Sequence, residues 1–321
     1  MSSDMTYIPA GVIWQRRPFP DTNLLLLTGR WPALIDSGFV GHAAQTAAWV
    51  QSRTSHLHFV VNTHWHSDHV GGNALLQAAG ARIAASAIDA AELAGPSPGC
   101  CQAEYLDQPV APYTVDEPLT DGQMVWLGDA EWEVIGTPGH TAGHLSLWQP
   151  GHRLLIVGDA VSDYDVGWVN IAVDGPGAAA TALTSLERLA DLQPRVLIPA
   201  HGSIPVDPGA VFAAGLRRAR RLVDDPAGAV WYGARRIFAF ALMIRDGIAV
   251  PDVADYLRAR AWVNDAARLL HTTPADFAAE LVESMLNSGA ITMQGNRVRA
   301  TADHSPVVAE SLGLPFPAAW P

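Results

Sequence analysis

The chain has 321 residues, 20 basic and 32 acidic side chains and a formal charge of −12, and every basic residue is an arginine. Counted along the sequence, residues 1–215 hold 8 arginines against 21 carboxylates, which disfavours a long polyanionic partner, because neutralising phosphates requires clustered cations. No apolar run approaches the roughly 20 residues needed to cross a bilayer, and the N-terminus has no signal-peptide pattern. A cytoplasmic protein without membrane association is therefore expected.

Three short strands are predicted first, over 12–14, 23–28 and 31–35, from β-branched and aromatic runs around a Thr28-Gly29-Arg30 turn. A Pro-rich loop separates the first two, and Trp14, Arg16 and Phe19 in or beside it are candidate substrate contacts. Residues 41–53 are Ala-rich with apolar positions at helical spacing and should cover a sheet. The β-branched run Phe59-Val60-Val61 then leads into His64-Trp65-His66-Ser67-Asp68-His69, after which a helix is expected over 73–79.

That stretch carries the chemistry. His64 and His66 are two apart, so an extended loop projects both to one side, where they can hold a metal ion. Asp68 and His69 follow as the backbone turns, an arrangement suited to a second ion beside the first. Imidazoles with a carboxylate favour zinc, with iron or manganese as other occupants.

Downstream, residues 81–85 read as a strand and 87–93 as a short helix. The segment 95–118 has no clear periodicity, contains Tyr105 and the adjacent Cys100 and Cys101, and is a candidate lid. The vicinal cysteines cannot build a disulfide framework and read as bystander thiols. Four short strands are predicted over 123–127, 132–135, 145–148 and 154–157, followed by an amphipathic helix over 178–192. Further helices are expected over 211–223, 235–245, 253–270 and 274–287, with Thr273 or Thr272 capping the last, and then a hairpin over 291–299 around Gly295-Asn296. The tail from 302 is Pro-rich and apolar and should lie on the surface.

The His-x-His-x-Asp-His run resembles the signature of metallo-β-lactamase-fold hydrolases, and later segments are similar to that family's remaining motifs. Asp36 resembles the acid that supports the metal loops. Within Thr137-Pro138-Gly139-His140-Thr141-Ala142-Gly143-His144 the second histidine, His144, corresponds to the ligand; Leu155-Ile156-Val157-Gly158-Asp159 resembles the strand delivering a bridging carboxylate, and Pro199-Ala200-His201-Gly202 the last motif. The resemblance implies an α/β fold, an αββα sandwich, over residues 1–215. It places one Zn²⁺ on His64, His66 and His144 and another on Asp68, His69 and His201, with Asp159 and a hydroxide bridging them. A bridging carboxylate points to the glyoxalase II and lactonase-like branch rather than to β-lactamases. The implied reaction is attack of the hydroxide on the carbonyl of a small ester, thioester or lactone, with Asp68 orienting the nucleophile and passing a proton.

Lactonases of this kind place a tyrosine shortly after the bridging aspartate, and Tyr164 is the candidate here. Tyr105 and Trp168 join Trp14, Phe19 and Tyr164 as an expected aromatic rim, and Arg16 and Arg17 are the cations expected nearby. Residues 216–321 resemble the winged-helix module that some relatives append. Its predicted third helix carries Asp276, Glu280 and Glu283 and no arginine, so a packing role is expected rather than nucleic-acid binding. A small-molecule substrate is the expected partner, and a homo-oligomer is compatible with the sequence. Three other activities fit the same motifs: an endoribonuclease or phosphodiesterase, a mononuclear iron persulfide dioxygenase, and a non-enzymatic ligand sensor.

Overall fold

The computed structural model describes residues 8–95, 97 and 99–320. Two sheets lie face to face. The first has six strands in sequence order, Val12–Gln15, Leu24–Leu27, Ala33–Ile35, Phe59–Val61, Arg82–Ser86 and Glu117–Leu119. The second has five, ordered Val196–Ile198, Leu154–Ile156, Leu145–Gln149, Ala130–Gly136 and Met124–Leu127.

Period-two alternation sorts the strand residues between cores. Ile35, Val61 and Ala84 meet Val134, Leu147, Ile156 and Ile198 between the sheets. Their neighbours Leu34, Val60 and Ile83 face outward, onto Ala47 and Val50 of the Ala43–Gln51 helix and Leu76 of the Asn73–Ala78 helix. On the other side Ile135, Leu155 and Leu197 meet Leu186 and Leu189 of the Ala178–Asp191 helix and Phe212 and Ala219 of the Pro208–Asp224 helix. The result is a helix–sheet–sheet–helix sandwich, as expected. The Pro208–Asp224 helix runs straight through the expected domain division at 215/216 and belongs with the sandwich, because its apolar face completes that outer core.

A third core follows Asp225. The Pro226–Ile244, Val253–Arg258, Ala261–Leu269 and Pro274–Asn287 helices enclose it, together with a sheet ordered Ile248–Ala249, Arg297–Ala300 and Ile291–Gln294. Two features differ from the sequence reading. The first helix begins nine residues earlier than 235, at Pro226, where Asp225 caps it by accepting from the Gly228 N–H. The single helix expected over 253–270 is two, broken between Arg258 and Ala261 so that Leu257 and Trp262 can both turn inward. Thr273 caps the Pro274–Asn287 helix as expected, accepting from the Asp276 N–H.

The candidate lid is packed. Cys100 and Cys101 are buried in the outer core of the first sheet, their sulfurs 3.8 Å apart, and Leu106 enters the C-terminal core. Residues 96 and 98 of this segment lie outside the described residues. Asp107 ties the segment down further, its Oδ2 lying 2.5 Å from Arg245 and 2.8 Å from Arg260. Among the described residues no helix is long and apolar enough to cross a membrane.

The tail is fastened to the loop before the second strand. The Ser305 N–H donates to the Phe19 carbonyl at 2.7 Å, and Phe19 and His304 form a parallel bridge. Beside them buried His42 sits between two acceptors, with Nδ1 2.5 Å from Asp21 Oδ2 and Nε2 2.7 Å from the Pro306 carbonyl. Only a doubly protonated ring can donate to both. The hydrogen bond to Asp21 outweighs burial and raises the His42 pKa above its ordinary 6.5. Stabilisation from a raised pKa is complete below the unfolded value and is lost as pH rises through the folded one. His42→Gln should thus be less stable than the parent by about 1–3 kcal/mol at pH 6, and by less at pH 9. Chemical denaturation at both values tests this; a pH-independent difference would mean that the latch holds a neutral ring.

Candidate metal centre

All the ligand-type side chains come from one edge of the sandwich. His64 and His66 follow the C-terminal end of the Phe59–Val61 strand, and Asp68 and His69 lie in the first turn of the Ser67–Val70 helix. Asp159 and His201 follow the parallel strands Leu154–Ile156 and Val196–Ile198, which end on the same side. His140 and His144 come from the turn joining the antiparallel strands Ala130–Gly136 and Leu145–Gln149. A backbone hydrogen bond from Leu145 N to the Thr63 carbonyl, 2.7 Å, joins the loops of the two sheets.

The side chains form two separate trios, with a third grouping of His64, His69 and Asp159 between them. In the first, His66 Nδ1 stands 3.1 Å from His64 Nε2 and 3.0 Å from His140 Nε2. In the second, His201 Nε2 lies 3.1 Å and His69 Nε2 3.8 Å from Asp68 Oδ2. Asp159 lies between them. Its Oδ2 is 3.5 Å from His140 Nε2, and its Oδ1 is 3.5 Å from His69 Nε2 and 3.6 Å from His201 Nε2.

The third histidine of the first trio is therefore His140, where the motif points to His144. Both ring nitrogens of His144 are already engaged, Nδ1 with Thr137 Oγ1 at 2.8 Å and Nε2 as acceptor of the Asp159 N–H at 3.1 Å. Burial and the adjacent His140 push its pKa down to about 3, so the ring stays neutral and holds the backbone of Asp159 in place.

The far nitrogens of the inward-facing rings fix their tautomers. His140 Nδ1 donates to the Trp168 carbonyl at 2.6 Å, His69 Nδ1 to Asp36 Oδ2 at 2.9 Å, and His64 Nδ1 lies 3.2 Å from Thr63 Oγ1, itself a donor to Asp36. Lone pairs on His64 Nε2 and His140 Nε2 therefore face His66 Nδ1, which can donate to one of them at most. His69 Nε2 and Asp159 Oδ1 are buried without any hydrogen-bond partner. Burial also holds His64 and His66 well below the ordinary imidazole range, keeping them in the neutral form that binds metals. Converging lone pairs and orphaned acceptors are the arrangement a cation satisfies, so the donor set fits metal ions.

Above the trios a cavity of about 560 Å³ is lined by Phe19, Tyr164, Trp168, Tyr232, Arg235 and Phe240, among others. Phe19 stacks on His201 with ring centroids 4.8 Å apart, and Trp168 on His66 at 5.6 Å. Desolvation pushes the Tyr164 pKa up to about 12, leaving a hydroxyl that can donate at neutral pH.

Two expected rim residues are elsewhere. Trp14 packs against the core between the sheets, and Tyr105 lies in a side cleft against the C-terminal core. Arg17 is held by Asp21 at 2.8 Å and by Thr46, while exposed Arg16 opens onto a second cavity beyond Phe19. Sequence reasoning misses the wall formed by Tyr232, Arg235, Arg236, Phe240 and Met243. Its signal is a stripe at helical spacing in the Pro226–Ile244 helix, and the helix expected from 235 onward contains all of these residues but Tyr232.

His140→Ala is expected to lower the bound metal by one ion per chain. His144→Ala should keep the metal but destabilise the fold by about 1–3 kcal/mol, because a buried donor loses its acceptor. Elemental analysis with thermal melting separates the two; equal metal loss in both variants would return His144 to the ligand set.

Residues 21–201 match the sequence profile of the Metallo-beta-lactamase superfamily. The chain is 34% identical over 160 residues to a hydroxyacylglutathione hydrolase of Rhodobacter capsulatus, a match covering 50% of this chain and 53% of that protein. It is 30% identical over 192 residues to the beta-lactamase-like protein 2 homolog of Caenorhabditis elegans, covering 57% and 56%. The matches thus span about half the length of these curated relatives. Among solved structures, a metallo-beta-lactamase family protein from Thermus thermophilus shares the fold with a TM-score of 0.56 at 23% identity, over 91% of this chain and 99% of that one. With the profile covering more than half of the chain and the ligand-type residues gathered at one edge of the sandwich, the chain belongs to the metallo-beta-lactamase superfamily.

Proposed function

We propose that the protein is a dinuclear, zinc-dependent hydrolase of a small ester, thioester or lactone. The observation that carries this reading is Asp159, whose two oxygens face the two trios separately, Oδ2 toward His140 and Oδ1 toward His69 and His201. His64, His66 and His140 would hold one ion and Asp68, His69 and His201 the other, with Asp159 shared. An imidazole-rich set with few carboxylates suits zinc. The hydroxyacylglutathione hydrolase name of one relative supports a thioester among the candidate substrates.

Metal ions bound here would supply an activated water and polarise a carbonyl oxygen. The chain's own groups do the rest. Asp68, at the cavity floor and 3.1 Å from His201, can accept a proton from the incoming water and return it to the leaving group. Tyr164 offers a neutral donor to the substrate. Phe19 and Trp168 cover His201 and His66 and exclude bulk water from the reacting groups. The exposed face of the Pro274–Asn287 helix bears Asp276, Glu280 and Glu283, which favours the small-molecule reading over a nucleic-acid one.

The zinc-loaded full chain should bind two ions and turn over thioester, ester or lactone probes. Asp159→Ala should lower metal content, and kcat/KM by at least the roughly 10–100-fold seen for outer-sphere partners of metal ligands. Full activity with one ion per chain would overturn the dinuclear reading. In a series of lengthening acyl groups, kcat/KM should rise by up to about 0.8 kcal/mol of transition-state stabilisation per methylene. Phe240→Ala should flatten that slope; a flat slope in the parent would place the acyl group outside the cavity.

A further inference from the structure

The cavity over the trios is chemically polarised, and one helix sets the polarity. Tyr232, Arg235, Arg236, Ala239, Phe240 and Met243 recur at three- and four-residue intervals along the Pro226–Ile244 helix and line a single wall. Toward Met243 the surroundings are apolar, with Leu106, Met285 and Ala290 completing that end. Toward Tyr232 they are charged, with Arg235, Arg236 and Asp165.

The two arginines there are not equivalent. Arg236 is occupied: it pairs with Asp165, whose Oδ1 also lies 3.8 Å from Arg218. Arg235 makes no ion pair with any described residue, and its nearest aromatic ring, Trp231, is 5.8 Å from the guanidinium carbon. It is exposed and is one of the residues that line the cavity. Asp165, a carboxylate of the same cavity that could have neutralised it, is already taken by Arg236. Of the arginines before the sandwich's second strand, Arg17 is likewise spent on Asp21 and Thr46, while Arg16 opens onto the adjoining cavity beyond Phe19 and not onto this one. A guanidinium with free donors, set in a wall that also offers apolar surface, matches the planar oxygens of a carboxylate or phosphate, which it can bind through two hydrogen bonds.

We propose that Arg235 is a specificity residue that anchors a carboxylate or phosphate on the substrate, so that the substrate class is an anionic thioester or ester with an apolar portion lying along Phe240 and Met243. This rests on the hydrolase reading above. It departs from the sequence reading, which finds only Arg16 and Arg17 near the site and expects an aromatic rim with few cations.

The test uses the zinc-loaded full chain, Arg235→Ala and Arg235→Lys, with thioesters of one acyl group whose leaving thiol bears a carboxylate, a phosphate or a neutral carboxamide. Non-hydrolysable thioether analogues of the same three are titrated calorimetrically in parallel. The parent should bind and turn over at least one anionic member ten-fold or more better than the neutral one, and the preferred anion identifies the group recognised. Arg235→Ala should raise KM and Kd for the anionic member by at least ten-fold more than for the neutral one, with Arg235→Lys recovering part of the difference. Equal losses across the three, or no discrimination in the parent, overturn the proposal. If no thioester is hydrolysed but the analogue affinities still depend on charge and on Arg235, the anion site stands and the hydrolase reading falls.

Discussion

Asp36 holds the metal loop in shape from outside it. One of its oxygens accepts the backbone N–H of Thr63 at 2.8 Å, and the other accepts the Thr63 hydroxyl at 2.9 Å and His69 Nδ1 at 2.9 Å. The residue sits in a left-handed backbone conformation, φ 56°, at the end of a central strand. That conformation is accessible to aspartate because its short side chain bonds to nearby backbone. From this one carboxylate follow the path of the chain into His64, the tautomer of His69 and, through Thr63, the orientation of His64. His144 does the corresponding work on the other sheet, gripping the backbone of Asp159. Asp36 thus orients one histidine of each trio and His144 the carboxylate between them, which leaves the inward lone pairs free for a cation.

The pocket above the trios is a joint product of both parts of the chain. The sandwich supplies the floor, and the Pro226–Ile244 helix and the tail supply a wall and part of the rim. Their attachment is polar as well as apolar: Tyr232 donates to the Val166 carbonyl at 2.6 Å, Arg236 pairs with Asp165, and Asp107 receives Arg245 and Arg260. The helical C-terminal part therefore shapes the cavity while keeping the acidic face of its Pro274–Asn287 helix turned to solvent.

Much of the sandwich and of the site is legible in the sequence because the information is local. A β-branched run followed by closely spaced histidines specifies a strand end with converging ligands, and together with the four other motif segments it specifies one edge. What is not legible is long-range. His140 and His144 both belong to the same motif, and only the distances from His144 to Thr137 and to the Asp159 backbone decide which ring turns inward. Trp14 alternates along its strand toward the intersheet core, a direction fixed by register and not by residue type. The stretch 95–118 lacks periodicity because its apolar residues serve two different cores, Cys100 and Cys101 one and Leu106 the other. The cationic wall is hidden although Arg235, Arg236, Phe240 and Met243 all fall inside the helix expected over 235–245, because tertiary packing and not local sequence decides which face of that helix lines the cavity.

The pairing of Phe19 with residues 304 and 305 has a bearing on synthesis. Every group of both trios lies before residue 202, so a growing chain can assemble its metal-binding edge while the Pro226–Ile244 helix and everything after it are still to be made. The loop that carries Phe19 acquires its partner only when residues 304 and 305 emerge. Until then the centre lacks the wall that the later segments give it in the finished protein. Closure of the cavity thus follows construction of its floor, and the order of residues along the chain sets that schedule.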